Sequence, residues 1–225
     1  MDFEKKMAQV RQQAPRLLGE DHWQNYAICL PFFTDEEGQF SILFEERALQ
    51  LESQPGEMAF PGGAVEAGED FSEAARRETA EELLLAPEQV KLLAHPFTYC
   101  SVNGRRIECF VGRLEDYQGT YSKAEVASVL TLPWRAVRQW KARLSYNEVI
   151  SRPAPGADFP YEDLPGGRAY PWRKGRSRML FYHYHGKVIW GLTARILEAT
   201  IALLDEKPEG RSETERMCDD SDSFL

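Results

Sequence analysis

Asp70-Phe-Ser-Glu-Ala-Ala-Arg-Arg-Glu-Thr-Ala-Glu-Glu-Leu-Leu-Leu85 is the stretch whose reading decides the fold. Asp70 is a natural helix N-cap, and Glu73, three positions on, completes a capping-box pattern. At about 100° per residue, Phe71, Ala74, Ala75, Glu78, Glu81, Glu82 and Leu85 fall on one stripe of a helix over 71–85. The carboxylates of Glu78, Glu81 and Glu82 thus continue the apolar stripe and leave the polar face to Ser72, Glu73 and Arg76. A Glu-rich helix is ordinarily a solvated face. The phase of this one predicts carboxylates turned toward the domain. Three carboxylates within one turn repel one another, and partial burial makes each anion costlier. Raised pKa values, a cationic side chain or a bound metal would each relieve the strain, and Arg77 can offset one charge only. Hard divalent cations such as Mg²⁺ take oxygen ligands and keep some waters, which suits such a cluster. Cations held this way can activate water and clamp phosphate oxygens.

Around this helix the chain reads as short strands. Tyr26 to Phe33 and Phe40 to about Glu45 form a hairpin across the turn Asp35-Glu-Glu-Gly38. Gly56 to Val65, rich in Gly and Pro, is loop with a short strand. Strands at 90–101 and 107–114 flank the turn Asn103-Gly104, a further strand covers 126–132, and Pro133 opens a short helix to about Trp140. Residues 151–178 lack an apolar period and predict a long loop. Met179–Tyr184 and Lys187–Trp190 make a hairpin at His185-Gly186, with Trp190 as a core aromatic, before an amphipathic helix over 192–204. Apolar spacing also predicts a helix over 2–18. Three segments follow: an N-terminal helix at 1–20, one domain at 21–206, and a disordered acidic tail at 207–225. Strands mixed with a few helices predict an α+β domain or α/β/α sandwich.

The 225 residues are 43% hydrophobic and carry a net charge of −9. That composition is globular, and the acidic balance argues against general nucleic-acid affinity. Cys29, Cys100, Cys109 and Cys218 form no Cys-x-x-Cys pair, which argues against a zinc site and fits reduced thiols in the cytoplasm. Met1 to Lys6 has no apolar run behind it, and no later stretch is long enough to span a membrane; the expectation is a cytoplasmic protein without signal peptide or membrane anchor. The C-terminal Ser223-Phe-Leu is not the peroxisomal Ser-Lys-Leu signal.

Gly63, Glu69, Arg77, Glu78, Glu81, Glu82 and Leu85 stand at the spacing of the Nudix signature, which this chain resembles. It departs at Thr79, where an aliphatic is usual, and at Leu84, where Gly is usual. Leu84 predicts a helix that continues to about Ala86 and stops before Pro87. The resemblance implies a Nudix-type α/β/α sandwich with a mixed β-sheet and a pyrophosphohydrolase dependent on Mg²⁺ or Mn²⁺. It implies that Glu78 and Glu82 ligate metal, that Glu81 is a ligand or base, and that the Gly63 carbonyl reaches a metal. Arg77 and Glu69 resemble the pair that braces the loop and orients the glutamates.

Outside the box, Arg47-Ala48 leads to Gly56-Glu-Met-Ala-Phe60-Pro61-Gly62-Gly63. This resembles the additional motif of coenzyme A pyrophosphatases, as does Ile189 to Leu197 further on. Glu45 stands where that subfamily usually has Thr, and Glu52 where it usually has a basic residue. The implied substrate is CoA or acyl-CoA, cut to 3′,5′-ADP and (acyl-)4′-phosphopantetheine, with Arg47, Gly56, Phe60, Gly62 and Gly63 at the substrate. Gly62 and Gly63 would let backbone approach a pyrophosphate closely. The run Arg168 to Arg178, with Arg173 and Lys174, is the densest basic segment and is expected to grip substrate phosphates; a solvated surface loop is its plainer reading. Two alternatives stay open: a Nudix hydrolase for ADP-ribose or a dinucleotide, and a non-catalytic nucleotide-binding module. The intact Arg-Glu and Glu-Glu positions argue against the last.

Overall fold

Apolar runs build the centre of the molecule, and a computed structural model describes residues 3–11, 13, 17–35, 37–156 and 158–205. The chain divides into two compact units. The first holds residues up to Ala142 together with Tyr182–Ile189, and the second holds Arg143–Phe181 and the residues from Trp190 onward.

In the first unit, β1 (Gln24–Thr34) is the axis of a mixed sheet. Its Ala27, Cys29, Leu30, Phe32 and Phe33 are buried. One edge of β1 runs parallel to β6 (Arg105–Leu114), which pairs antiparallel with β5 (Val90–Cys100). The other edge is shared. β2 (Phe40–Arg47) pairs with β1 only from Phe32↔Ile42 to Thr34↔Phe40, next to the turn. Beyond that point the two strands diverge. β3 (Met58–Ala59) fills the gap on the β2 side and β4 (Gly62–Ala64) on the β1 side. The far edge of β2 carries β7 (Val126–Pro133), which leads into the short α3 (Trp134–Val137). α2 (Phe71–Leu83) lies over β1 and β4. Its Ala74 and Ala75 pack with Ala27 and Phe110, and its Ala80 and Leu83 pack with Cys29, Phe33 and Leu43. This is the expected α+β architecture with a mixed sheet.

The capping box of α2 is formed as its sequence predicts. Asp70 accepts from the Ser72 and Glu73 amides at 2.7 and 2.9 Å, and Glu73 accepts from the Asp70 amide at 2.9 Å. The other end departs from expectation. The helix stops at Leu83, and Leu84 itself adopts the left-handed conformation, φ 53° and ψ 49°, with its N–H on the Ala80 and Glu81 carbonyls. A branched side chain thus occupies the backbone state for which Gly is suited, and it is 60% exposed. Leu84→Gly is therefore expected to stabilise the fold by about 1 kcal/mol in urea denaturation, because it removes backbone strain and little packing. Equal or lower stability would show that Leu84 is held by contacts worth more than its strain.

Three further expectations change. The first helix, α1, covers Phe3–Val10, and the chain is non-helical at Leu17–Gly19, where Gly19 has φ 83°. In the second unit, β8 (Arg143–Ile150) appears where no strand is predicted, and β9 (Lys174–Tyr184) begins inside the expected loop. They pair antiparallel from Arg143↔Phe181 to Ile150↔Lys174. β8 is exposed at every position; Leu144, Tyr146 and Ile150 alternate along it, but Glu148 interrupts the pattern. The rest of the predicted loop holds single turns at Tyr161–Asp163 and Gly167–Ala169. β10 (Lys187–Trp190) and α4 (Gly191–Asp205) follow. Trp190 stacks on Phe181 at 6.0 Å yet stays 37% exposed. The expected tail at 207–225 and Cys218 lie outside the described residues. Among the described residues, no helix is long and apolar enough to cross a membrane.

Candidate active site

The place where β1 and β2 part is filled from above by the C-terminal half of α2. Glu82 points into it, 4% exposed, and accepts a 2.8 Å hydrogen bond from the Gly62 amide. Glu78, one turn back, lies against Gly63: a Cβ built there would sit 2.3 Å from the Glu78 carboxyl carbon. Gly62 has φ 149°, and a Cβ on it would meet the Ala27 carbonyl oxygen at 2.3 Å. Both glycines are therefore required by protein packing. What they admit closely in this structure is β1 and the Glu78 carboxyl.

Arg77 ties the loop to the helix. Its Nε and Nη2 donate to the two Glu69 oxygens at 2.9 and 3.0 Å, Nη2 also reaches the Ala64 carbonyl, and Nη1 donates to Glu78 at 2.8 Å. Such forked pairing fixes geometry as well as charge. It holds the Glu69 carboxyl below its ordinary range. Glu81 sits at the rim, its side chain 57% exposed, with Arg77 Nη1 at 3.3 Å. The buried residues of α2 are thus Ala74, Ala75, Thr79, Ala80, Glu82 and Leu83, with Glu78 half-buried at their edge. Thr79 is buried and donates to the Ala75 carbonyl at 2.6 Å.

Two carboxylates outside the box join the cluster: Glu45 of β2, 0% exposed, and Glu125, an exposed residue just before β7. Burial pushes Glu82 well above the ordinary carboxylate range, and the neighbouring Glu45 charge adds to it against the Gly62 N–H. Burial likewise raises Glu45, with Arg47 opposing. Glu78 is raised by burial and partly restored by Arg77. Acids raised in the folded state hold protons that the unfolded chain releases, so they favour folding at low pH and lose that contribution as pH rises. In EDTA, thermal stability is therefore expected to fall as pH rises above the ordinary carboxylate value of 4.5, and added Mg²⁺ to oppose the fall. Melts in EDTA that stay flat or rise from about pH 5 to about pH 8 would contradict this.

The cluster is chemically suited to a hard divalent cation. Its donors are all oxygens, its charge is in excess of what Arg77 and Arg47 offset, and both Glu45 oxygens are buried without a hydrogen-bond partner among the described residues. Among the described residues no three acidic, His or Cys side chains close into a ready cage. Mg²⁺ needs none, since it is ordinarily held by one or two carboxylates and keeps several waters.

The remaining predicted residues fall into three places. Arg47 and Gly56 close the 48–56 loop: the Gly56 amide donates to the Arg47 carbonyl at 3.0 Å, and Arg47 Nε donates to the Ser53 carbonyl at 3.3 Å. Phe60, expected at the substrate, is 4% exposed with its ring on Phe44 at 4.9 Å; apolar burial draws it into the core, so it supports the loop from beneath. Arg173 and Lys174 belong to the second unit, where both are exposed and Lys174 lies 3.8 Å from Glu148. Nearby, Tyr170 and Trp172 pack edge-to-face on each other and Trp172 on Phe159, leaving them as a self-packed cluster. Cys29 and Cys109 are buried, with thiols pushed up to about 12 by that burial, whereas Cys100 is exposed.

Comparison with known proteins supplies a family. The NUDIX domain profile matches residues 23–154. Nudix hydrolase 22, chloroplastic, of Arabidopsis thaliana is 26% identical over 214 residues; these cover 92% of this chain, which thus spans only 61% of that relative's length. The uncharacterized Nudix hydrolase NudL of Salmonella paratyphi B is 29% identical over 175 residues, 76% of this chain and 78% of that protein. Among solved structures, a MutT/nudix family protein from Enterococcus faecalis aligns over 89% of this chain and 67% of its own, at 12% identity and a TM-score of 0.46.

Proposed function

The chain belongs to the Nudix family, and from that premise we propose that it hydrolyses the pyrophosphate linkage of a nucleoside diphosphate derivative, with CoA or acyl-CoA as substrate. The observation that carries the reading is the lock between the Gly62-Gly63 turn and two carboxylates of one helix, Glu78 against Gly63 and Glu82 on the Gly62 amide. Glu78 and Glu82, with the Gly63 carbonyl and with Glu81 at the rim, are the groups that would hold Mg²⁺ or Mn²⁺. When bound, such a cation supplies Lewis acidity and neutralises phosphate charge.

The chain's own residues do the rest. Arg77 holds Glu69, Glu78 and the loop in one geometry, so the carboxylates need not reorganise during reaction. In the hydrolysis, the oxygen of water bonds to one phosphorus as the bridging P–O bond breaks. The water's proton passes to a carboxylate, for which Glu81 is the most exposed candidate on the helix. The expected products from CoA are 3′,5′-ADP and 4′-phosphopantetheine. Support for CoA comes from Arg47-Ala48 and the run from Gly56 to Gly63, and Arg173 and Lys174 are the proposed contacts to its phosphates. A reducing, cytoplasmic setting belongs to the same reading, supported by free thiols at Cys29, Cys100 and Cys109.

Glu45 and Glu52, acidic where the CoA subfamily usually has Thr and a basic residue, favour a second reading, cleavage of ADP-ribose or a dinucleotide. Incubating the protein in Mg²⁺ with CoA, acetyl-CoA, ADP-ribose, diadenosine polyphosphates and NADH in parallel, with products identified by mass, separates the two. Release of 3′,5′-ADP from CoA is the expected result. Cleavage of ADP-ribose with CoA left intact favours the second reading, and no cleavage of any of them leaves a nucleotide-binding module.

A further inference from the structure

The fold satisfies most of its inward carboxylates with its own donors. On β6, Glu108 is fully buried and accepts from Thr98, Arg106 and His95. On β2, Glu46 accepts from Ser128 and Lys187. The residue beside it, Glu45, is treated differently. It follows Leu43 by two positions, on the strand face that packs against Ala80 and Leu83 of α2, and is 0% exposed. Neither of its oxygens has a hydrogen-bond partner among the described residues. Glu82, Glu78 and Glu125 place like charge around it, with Arg47 opposing. Buried carboxylates without donors are rare, because removing the charge from water is costly unless something replaces the water. Among the described residues no protein group does so for Glu45.

We propose that Glu45 supplies an additional carboxylate, from the strand and outside the helical box, to the divalent cation held at Glu78 and Glu82. The inference rests on the reading of those two residues as the cation site. Two consequences of opposite sign follow. Without metal, Glu45 is a buried carboxyl that its surroundings do not satisfy, so neutralising it relieves the fold. With metal, the same oxygens become donors, so neutralising it weakens cation binding. A carboxyl that is merely buried among like charges would give the first effect without the second.

The test uses Mn²⁺ alone, with no substrate, followed by electron paramagnetic resonance of free Mn²⁺ and by thermal melting in EDTA and in Mn²⁺. The full-length wild type is compared with Glu45→Gln, Glu45→Thr and Glu82→Gln. The expected result is that Glu45→Gln melts at or above the wild type in EDTA, yet binds Mn²⁺ at least about tenfold more weakly and gains less from it on heating. Glu45→Thr, which removes the side chain's reach as well as its charge, should lose Mn²⁺ affinity likewise and carries the test if the Gln variant does not fold. Wild-type Mn²⁺ affinity in both Glu45 variants, with loss in Glu82→Gln, would overturn the role of Glu45 and leave the helical site standing. Failure of the wild type to bind Mn²⁺ would overturn both.

Discussion

Glu82→Gln and Glu78→Gln should each lower turnover by about 10²-fold or more under saturating Mg²⁺, the scale on which removal of a single preorganised charge is felt at an active site. The two substitutions are chosen because they leave the fold its contacts. In Glu82→Gln the new amide oxygen can still accept from the Gly62 N–H, and in Glu78→Gln it can still accept from Arg77. What each removes is a negative oxygen donor from a cluster whose charges are otherwise in excess. Neutralising Glu82 also removes a buried like charge beside Glu45, so the metal-free melting temperature should hold or rise while activity falls. That split separates a lost functional group from a damaged fold. Steady-state kinetics beside thermal melts check it, and full turnover in both Gln variants would remove these residues from the mechanism.

Gly63→Ala should be as damaging, by another route. The added methyl would lie 2.3 to 2.5 Å from all three atoms of the Glu78 carboxyl, far inside contact distance. Gly63 is not in the left-handed region, so alanine meets no backbone penalty, and the pairing of Ala27 with Gly63 can persist. The carboxyl must therefore move, and it is also the partner of Arg77 Nη1. A displacement of about 1 Å at a reacting group can cost about 10²-fold in rate. The expected outcome is a loss of that order with near-wild-type circular dichroism. Rescue is available by design: combining Gly63→Ala with Glu78→Asp, which shortens the side chain, should recover part of the lost activity if crowding is the cause. A Gly63→Ala enzyme with wild-type turnover would show that Glu78 can sit elsewhere without consequence.

The helix is the most legible part of the chain, because its cap and its carboxylate phase are local. Asp70 and Glu73 pair as their spacing requires. The phase is right for Glu82 and too broad for Glu81: a stripe drawn at 100° per residue has two edges, and packing on β1 buries the edge carrying Thr79 while Glu81 goes to solvent. Leu84 misleads because a residue suited to helix interiors takes the left-handed turn; the bond from the following Leu85 N–H to the Ala80 carbonyl at 2.8 Å is a structural fact that no propensity encodes. β8 is a short strand exposed throughout, and Glu148 breaks the alternation of Leu144, Tyr146 and Ile150. Glu45 stands out in the sequence only as a departure from a motif. Its significance depends on β2 leaving β1 after the turn, so that two residues 37 positions apart, Glu45 and Glu82, come to face each other. That is a property of topology, and its trace in the sequence is a carboxylate placed two positions after Leu43, at the end of the apolar run Ile42-Leu43-Phe44.

Hydrolysis in ¹⁸O-labelled water, run in Mg²⁺ and in EDTA with both products weighed, bears on the proposed reaction without intermediaries. CoA should be cut between its two phosphorus atoms, one product should carry a single ¹⁸O and the other none, and neither should form in EDTA or with Glu82→Gln. Cleavage that persists undiminished in EDTA, or label that enters at a carbon atom and spares both phosphorus atoms, would contradict metal-dependent attack on the pyrophosphate.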